Sequence, residues 1–518
     1  MIYNKSVVRK LHRMSIALGG SSTFIVTEDS ELYAMGVNGN WRLGIGNQTN
    51  ALQPVLMQRK RTGQPHGSVI QSGDKVGMVA AGISHGACTA QDGAVWTWGY
   101  GRNGQLGNSS YDTRLRPFRL GTHNFGFSPA VMVACGRTFT MVLTATGHVW
   151  TCGNGNGGEL GNNHVDCKNV LTLLNPHTLF HDASIEMIAA GSAHAMALDT
   201  TGNLWTWGSN EFRQLGHRGT TATDQNGSYC QTPVRLPVET FNGTAVSSMD
   251  GGKNFTMVVT TDGVLWACGY GRSGQLGLGG RANMQVPGRV GSAQLFGEHG
   301  VRMASCGDEH SLIVTKDNRV FSCGRGLYAR VDNVGRSIVV DGTILFQTGL
   351  DVLLPTLINP IHFGNARIAT AAAGQHHSAV VTEEGSLYVI GMLVAPTSVG
   401  LTSLGPGSAN TNNPLEFDHR LPNSRMHGIK FDTIPRIVPH ALLHRDNGAR
   451  VGQWHRPRQE VMLAIAMNLH TRLGAGSAYN NLSEELLKTI IDNMVFNPGT
   501  VGIGLRNLMG LGSAHRYV

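Results

Sequence analysis

The sequence predicts an all-β fold, a seven-bladed β-propeller, and three observations lead to that prediction. Seven pairs of glycines occur along the chain, and the two glycines of each pair are always 17 residues apart. A turn-forming residue stands 11 positions after the first glycine of every pair. Between the glycines, short apolar runs of β-branched and aromatic residues fit no helical period. Four-stranded units repeated in this way form propeller blades.

The first glycine of each pair is called the anchor glycine below. The pairs are Gly19/Gly36, Gly82/Gly99, Gly136/Gly153, Gly191/Gly208, Gly252/Gly269, Gly307/Gly324 and Gly374/Gly391. The turn residues between them are Ser30, Gly93, Gly147, Gly202, Gly263, Asn318 and Gly385. Glycine tolerates the positive φ that tight hairpins need, so each pair should enclose a β-hairpin.

Each copy continues beyond its second glycine in the same manner. A glycine-rich loop closes with Leu-Gly, as at Leu106-Gly107, and a strand containing proline follows, as in Thr232–Leu236. Proline cannot donate to a central ladder, so this fourth strand should lie at the outer edge of the blade.

These residues resemble the RCC1 (regulator of chromosome condensation 1) repeat family. The segments Ala87–Gly107, His194–Gly216 and Phe255–Gly277 are close to its pattern of turn Gly, aromatic-x-x-Gly and Gly-Gln-Leu-Gly. The resemblance covers roughly residues 15–440, although copies 6 and 7 lack Gln-Leu-Gly after Gly324 and Gly391. It implies a propeller, and the founding activity is nucleotide exchange on the small GTPase Ran with docking on nucleosomes. The founding member's exchange wedge is an extra hairpin in blade 3, for which Gly153 to Gly191 leaves no room.

The chain divides into a propeller and three flanking segments. Residues 1–14 are a basic arm, 15–440 the propeller, 454–496 a helical appendage and 497–518 a glycine-rich tail. Irregular insertions occupy about 45–78, 217–231, 325–362 and 392–428. Ile434–Val438 resembles an outer strand of blade 7, and we expect Ser15–Leu18 to close the ring by pairing with blade-7 strands.

Composition points to an intracellular protein of a reducing compartment, cytoplasmic or nuclear. The net charge is +8 with a pI near 9.1, which favours an acidic partner. The 8 cysteines form no C-x-x-C pair, and five precede a glycine of a repeat pair, where other copies have alanine or tryptophan. We therefore expect small core residues at Cys135, Cys152, Cys268, Cys306 and Cys323. Neither a signal peptide nor a membrane span is predicted.

Motifs that resemble catalytic or cofactor sites have structural explanations, so we predict no cofactor, no metal site and no enzymatic activity. Three Gly-x-Gly-x-x-Gly loops begin at Gly99, Gly153 and Gly269, but no helix follows them to receive a phosphate. Histidines stand three residues after four anchor glycines, where two of the other copies place Phe139 and Phe255. A position shared with phenylalanine indicates packing; the histidines are His85, His194, His310 and His377.

Tryptophans on the third strands also suggest packing. A plant ultraviolet-B photoreceptor of this family uses clustered tryptophans carried in Gly-Trp-Arg-His-Thr repeats, which are absent here. The indoles should therefore pack the blades, and photoreception is disfavoured; these residues are Trp96, Trp98, Trp150, Trp205, Trp207 and Trp266.

Charge divides the predicted disc into two faces. The loop face contains the first-to-second and third-to-fourth connections of each blade, and the turn face contains the second-to-third turns. The loop face carries cations that are candidates for partner binding, namely Arg42, Arg102, Arg137, Arg213, Lys253, Arg272 and Arg325. Its acids are Glu159, Glu211, Asp308 and Glu309, whereas the turn face is mainly acidic. Either this polarity orients a partner, or the turn charges merely solvate hairpins.

The resulting hypothesis is a non-enzymatic scaffold that binds a protein or other macromolecule through propeller-face loops. The alternative is a guanine-nucleotide exchange factor for a small GTPase or a chromatin-associated protein, with an acidic or nucleic-acid-associated partner surface. A second alternative is a ubiquitin-ligase substrate adaptor, because Leu482–Leu487 resembles the opening of an F-box. The oligomeric state is left open by the sequence.

Overall fold

The computed structural model describes most of residues 15–391. The described ranges are 15–57 without 28, 70–217 without 72–73, 228–325, 338–340, 343–345, 351–391 without 376 and 384, and 436–438. The arm 1–14, the appendage 454–496, its F-box-like Leu482–Leu487, and the tail 497–518 lie outside these residues.

The fold is an all-β, seven-bladed propeller, as predicted. Seven four-stranded sheets follow one another along the chain, and in each sheet the strands pair in sequence order as antiparallel neighbours. The strands are Ser15–Leu18, Ser22–Val26, Leu32–Gly36 and Ala51–Leu56 in blade 1; Val76–Ala81, His85–Ala90, Val95–Gly99 and Arg114–Leu120 in blade 2; Ala130–Cys135, Phe139–Thr144, Val149–Gly153 and Lys168–Leu173 in blade 3. Blade 4 has Ile185–Ala190, His194–Asp199, Leu204–Ser209 and Tyr229–Leu236; blade 5 has Val246–Gly251, Phe255–Thr260, Leu265–Gly269 and Met284–Val290. Blade 6 has Val301–Cys306, His310–Thr315, Val320–Gly324 and Val352–Leu357; blade 7 has Ile368–Ala373, His377–Thr382, Leu387–Gly391 and Arg436–Val438.

The repeat glycines and turn residues do what their spacing predicts. All seven turn residues have left-handed backbone, with φ from 66° at Ser30 to 86° at Gly202. Each therefore joins the second and third strands of its blade in a tight hairpin.

The ring closes differently from our expectation that Ser15–Leu18 pairs with blade 7. That strand pairs with Ser22–Val26 of its own blade, with Ser15 opposite Val26. Arg436–Val438 completes blade 7 by pairing with Leu387–Val389. Every blade is therefore one continuous stretch of chain, and no strand needs to be exchanged. Blades 1 and 7 meet instead through side-chain packing, in which Ile16 and Leu18 lie against a cluster containing Val381 and Val389.

Neighbouring blades pack face to face through aromatic and aliphatic side chains. Phe24 of blade 1 meets Trp98 of blade 2 edge to face at a centroid distance of 5.3 Å. Phe180, in the connector that precedes blade 4, meets Trp205 in the same manner at 5.4 Å. Edge-to-face pairs of this kind suit the charge distribution of aromatic rings. The tryptophans thus lie within the core between blades, as predicted.

Short helices occupy several of the connections between strands. The connectors between blades, on the turn face, contain Thr122–Phe125, Pro176–Leu179, Val238–Phe241, Ala293–Phe296 and Pro360–Phe363. On the loop face, Gly39–Trp41 lies in the third-to-fourth connection of blade 1. A two-stranded hairpin, Ile338–Val340 and Thr343–Leu345, lies in the third-to-fourth connection of blade 6. Within the described ranges, no helix is long and apolar enough to cross a membrane.

Candidate protein-binding face

Hydrogen bonds cross from each of blades 2–6 to the loop-face loop of the preceding blade and hold that loop in place. In these loops, which close with Leu-Gly, the acceptor is the carbonyl of the residue before leucine. Trp98 Nε1 donates to the Arg42 carbonyl at 3.0 Å, and Trp207 Nε1 donates to the Glu159 carbonyl at 3.0 Å. Each indole therefore fixes the loop of the previous blade.

Blades without tryptophan at this position satisfy the same carbonyl with a hydroxyl and a thiol. Thr140 Oγ1 lies 2.7 Å from the Gln105 carbonyl oxygen, and Cys152 Sγ lies 3.6 Å from it. The pairs Thr256/Cys268 on Gln214 and Ser311/Cys323 on Gln275 repeat this arrangement. Where tryptophan is present, the hydroxyl position is taken by Gly86 or Ala195, which leaves room for the indole. The cysteines are therefore packing residues, and burial raises the pKa of the Cys268 and Cys323 thiols to about 12.

The repeat histidines are hydrogen-bonded to the hydroxyl groups of these links. His85 Nε2 lies 3.0 Å from Thr140 Oγ1 of the next blade, and His194 Nε2 lies 3.0 Å from Thr256 Oγ1. Because each threonine donates its proton to a glutamine carbonyl, we assign the histidines as neutral Nε2–H donors. Burial lowers the pKa of His85 and His194 to about 4, which keeps them neutral at pH 7.

The anchor glycines lie under these rings. A methyl group added at Gly82 would collide with the His85 ring, and one added at Gly136 would collide with the Phe139 ring. At six of the seven anchors, Gly136 being the other, such a methyl would also meet the carbonyl of the next anchor glycine around the axis, as Gly252 meets that of Gly307 and Gly374 that of Gly19. Histidine and phenylalanine are therefore alternative covers for the same glycine.

Three of the predicted partner-binding cations extend into solvent from this rigid frame. Arg102, Arg137 and Arg272 are exposed, and within the described ranges no protein group hydrogen-bonds to their guanidinium groups. The backbone of Arg137 is nevertheless fixed, because its N–H donates to the Ser192 carbonyl at 2.8 Å. Arg102 lines an open recess of about 360 Å³ with Tyr111, Asp112 and Thr113.

The other predicted cations are less available. Arg42 is partly buried, its Nε donates to the Gly39 carbonyl at 2.8 Å, and desolvation lowers its pKa. Arg325 forms an ion pair with Glu309 at 2.5 Å. Arg213 and Lys253 are partly buried. The structure thus separates the seven residues into three exposed arginines and four that are shielded or paired.

Two of the four acidic side chains predicted on the loop face are buried or held in an ion pair. Glu159 is only 5% exposed, and its carboxylate accepts hydrogen bonds from Asn154 Nδ2 and the Gly157 N–H, both at 2.8 Å. Burial raises its pKa. Glu309 is paired with Arg325. The sequence does not distinguish exposed charges from buried or paired ones, because side-chain partners are visible only in the folded structure.

Several carboxylates of the turn face cap their own hairpins. Asp262 accepts a hydrogen bond from Thr260 Oγ1 at 2.6 Å, and Asp92 accepts from the Ala94 N–H at 3.0 Å. Asp199 is buried and accepts from Trp205 Nε1 at 2.9 Å. Ion pairs with Arg119 and Arg319 hold Asp92 and Asp317. Carboxylates that stabilise the hairpin turns therefore account for part of the acidic character of the turn face. This agrees with the alternative in which the turn charges serve the hairpins and no partner.

The glycine-rich loops themselves are turns that join strands. The Gly104 N–H donates to the Gly101 carbonyl at 2.8 Å, and Gly274 repeats this bond with Gly271 at 2.9 Å. A Cβ at Gly104 would lie 2.5 Å from the Lys168 carbonyl oxygen of the next blade. In blade 3, the described residues between Gly153 and Lys168 contain no additional strand pair.

Comparisons with known proteins agree with this architecture. The family model for the RCC1-like domain matches residues 3–338. The chain is 31% identical over 304 residues to the ultraviolet-B receptor UVR8 of Arabidopsis thaliana, and the aligned region covers 58% of this chain and 63% of that protein. It is 29% identical over 306 residues to the human E3 ubiquitin-protein ligase HERC2, covering 58% of this chain and 6% of that protein. The chain therefore spans less than two thirds of the length of these relatives.

Solved structures share the fold at lower identity. Human WBSCR16 superimposes with a TM-score of 0.58 at 22% identity, over 72% of this chain and 87% of that one. Prp20p of Saccharomyces cerevisiae gives a TM-score of 0.58 at 21% identity, over 74% and 84%. The seven blades, their repeated glycines and the match over residues 3–338 place this chain in the RCC1-like propeller family.

Proposed function

We propose that this protein is a non-enzymatic scaffold that binds a protein partner through its loop face. The observation that carries the proposal is the set of exposed arginines Arg102, Arg137 and Arg272 on loops fixed by cross-blade hydrogen bonds. Rigid loops lose little conformational entropy on binding, and arginine is enriched at the energetic centres of interfaces.

The neighbourhood of Arg102 supports a protein partner. Tyr111 is 48% exposed and lines the same recess, which pairs an aromatic ring with a guanidinium group. Tyrosine and arginine are both over-represented among residues that dominate protein interfaces. An acidic rim on the partner would be steered to this face by its positive charge.

The test is the double substitution Arg102→Glu and Arg272→Glu. A pull-down with the intact chain and with residues 1–440 first identifies partners of the propeller. Isothermal titration calorimetry with each purified partner should then show at least tenfold weaker binding for the double variant and a shallower salt dependence. The melting temperature should stay close to that of the wild type, because exposed substitutions usually change stability by about 0.5 kcal/mol or less.

The matched control is Arg235→Glu with Arg289→Glu. Both arginines are exposed on fourth strands, so the control changes the net charge equally but leaves the loop face intact. Equal weakening by both variants would indicate a general charge effect and would contradict a loop-face site. A fluorescent-nucleotide release assay on any small GTPase among the partners separates exchange activity from simple binding.

A further inference from the structure

Four of the five described connectors between blades share one backbone motif on the turn face, and the connector that contains Ala293–Phe296 is the one without it. A short helical turn ends in two consecutive left-handed residues, with φ of 75° and 59° at Gly126-Phe127 and 64° and 58° at Gly364-Asn365. The N–H of the second residue returns to the carbonyl of the first helical residue, at 2.8 Å for Phe127 to Thr122 and 2.9 Å for Asn365 to Pro360. His181-Asp182 and Asn242-Gly243 repeat this motif.

Phe127 is the exception among the residues at the second left-handed position. The other three connectors place Asp182, Gly243 and Asn365 there, which are residue types that adopt this conformation at low cost. A bulky aromatic residue with positive φ is an outlier, because its Cβ approaches the following carbonyl. Such outliers persist when the surrounding structure imposes them, and they concentrate at functional positions.

Packing does not explain why phenylalanine stands at this position. Phe127 is 79% exposed, and the next most exposed large hydrophobic residue in the described ranges is Leu354 at 55%. The core role in this connector belongs to Phe125, which is fully buried. Phe127 therefore combines an unfavourable backbone conformation with an apolar ring in water, and neither stabilises the folded chain.

The surroundings of Phe127 are polar. The Thr146 and Ser128 hydroxyl groups are hydrogen-bonded at 3.3 Å, and Asp92 in the turn of blade 2 is paired with Arg119. Farther along the turn face, the next two connectors carry Asp182, whose carboxylate is in contact with His177 Nδ1, and Glu239. An exposed aromatic side chain within a polar rim is the usual form of an interface anchor.

We propose that Phe127 is the anchor of a second protein-docking surface, located on the turn face. Its ring enters an apolar pocket of a folded protein partner, and basic groups around that pocket face the carboxylates of the turn face. This surface involves none of the loop-face arginines, so it is independent of the function proposed above.

The substitution Phe127→Asn introduces the residue that Asn365 supplies in the connector before blade 7. If the ring serves binding, this change relieves the backbone strain and removes the anchor together. We expect the melting temperature of the full chain to be unchanged or raised by up to about 3 °C. The reciprocal change, Asn365→Phe, should lower the melting temperature and create no binding. A lower melting temperature for Phe127→Asn would mean that the ring stabilises the fold, and it would overturn the proposal.

Binding is tested by placing the photoreactive residue p-benzoylphenylalanine at position 127 in the full chain. A protein cross-linked through this residue is purified, and its affinity is measured by calorimetry against wild type, Phe127→Asn and Phe127→Leu. We expect at least tenfold weaker binding for the asparagine variant, a smaller loss for leucine, and weaker binding at high salt. The proposal fails if the cross-links join only copies of this chain, if no cross-linked protein binds the wild type after purification, or if the asparagine variant binds as tightly as the wild type.

Discussion

The innermost strands of blades 1–4 and of blades 5–7 meet their neighbours in different ways. Two residues before the anchor glycine, the first four blades have alanine, at Ala17, Ala80, Ala134 and Ala189. Blade 5 has Asp250 at this position and blade 6 has Ser305. We call the contacts along the first set the alanine seams and those from blade 5 through blade 7 the polar seams.

The polar seams are built from hydrogen bonds between neighbouring strands. Asp250 Oδ2 accepts from the Cys306 N–H at 2.8 Å and from Ser305 Oγ at 3.1 Å. Ser305 Oγ in turn accepts from the Ala373 N–H of blade 7 at 3.0 Å. Arg302 of blade 6 also donates to the Ala369 carbonyl at 3.0 Å. One repeat backbone thus accepts either a methyl group or a connected polar network at the same place.

The difference teaches that the repeat fixes the backbone but leaves the chemistry of each seam open. The polar seams lie on both sides of blade 6 and on one side of blade 7. These two blades have the longest third-to-fourth connections, from Gly324 to Val352 and from Gly391 to Arg436. Directional hydrogen bonds tolerate less change than methyl packing, because an unsatisfied partner retains its full desolvation cost.

The largest effect is expected when the polar group is moved into an alanine seam. Ala134→Asp places a carboxylate against Ala189, which offers no hydroxyl donor. An inadequately paired buried charge costs about 3–5 kcal/mol, so the free energy of unfolding in urea should fall by that amount. Ala134→Ser is the milder control. Stability close to wild type for Ala134→Asp would show that the backbone alone accommodates a carboxylate.

The next effect is a pH dependence that only the polar seams should have. Burial raises the pKa of Asp250 to about 6, although hydrogen bonds from Cys306, Gly251 and Ser305 act in the opposite direction. The folded state then holds a proton that the unfolded state releases near pH 3.8, so this stabilisation is complete below that pH and is lost as pH rises through about 6.

Asp250→Asn provides the reference for this pH dependence, because asparagine does not titrate. The stability of the wild type relative to this variant should fall by roughly 2–2.5 kcal/mol between pH 4 and pH 7, in urea titrations at each pH. A constant difference across this range would mean that Asp250 has an ordinary pKa in the folded protein.

Hydroxyl links to the repeat histidines occur at the loop-face end of seams in both regions. Thr140→Val breaks the link to His85 and also the 2.7 Å bond from Thr140 Oγ1 to the Gln105 carbonyl, and Ser378→Ala breaks the 2.8 Å link to His310. The loss of a buried hydrogen bond costs about 1–2 kcal/mol. Thermal unfolding should show a lower melting temperature for each variant, and an unchanged melting temperature for either one would show that its hydroxyl link does not stabilise the seam.

The smallest effect is expected for His85→Phe. Phenylalanine covers the anchor glycine in blades 3 and 5, and Thr140 Oγ1 keeps its 2.7 Å bond to the Gln105 carbonyl. The loss should be below about 1 kcal/mol at pH 7, measured by urea unfolding. A larger loss would show that histidine contributes more than ring packing and one hydrogen bond.

The sequence was sufficient for the blades because glycine spacing is local and repeated. The same comparison between copies identified the histidines and cysteines as packing residues. It could not reveal that Arg325 is paired with Glu309 or that Glu159 is buried, because side-chain partners depend on loop geometry. The ring closure was predicted wrongly, because the sequence of Ser15–Leu18 does not show whether this strand pairs within blade 1 or with blade 7. Phe127 was missed because phenylalanine itself does not indicate a left-handed backbone conformation. Only its three counterparts, Asp182, Gly243 and Asn365, are residue types that indicate this conformation in the connectors.

The continuity of each blade determines how the molecule can be oriented on a support. First strands run towards the loop face and fourth strands run away from it, so Ser15 and Val438 both lie at the turn face. A tether attached next to either residue therefore holds the disc with its arginine-bearing side towards solution. Immobilised binding assays built this way leave the loop face accessible and obstruct the surface around Phe127, so tests of the two proposed docking surfaces require opposite attachment geometries.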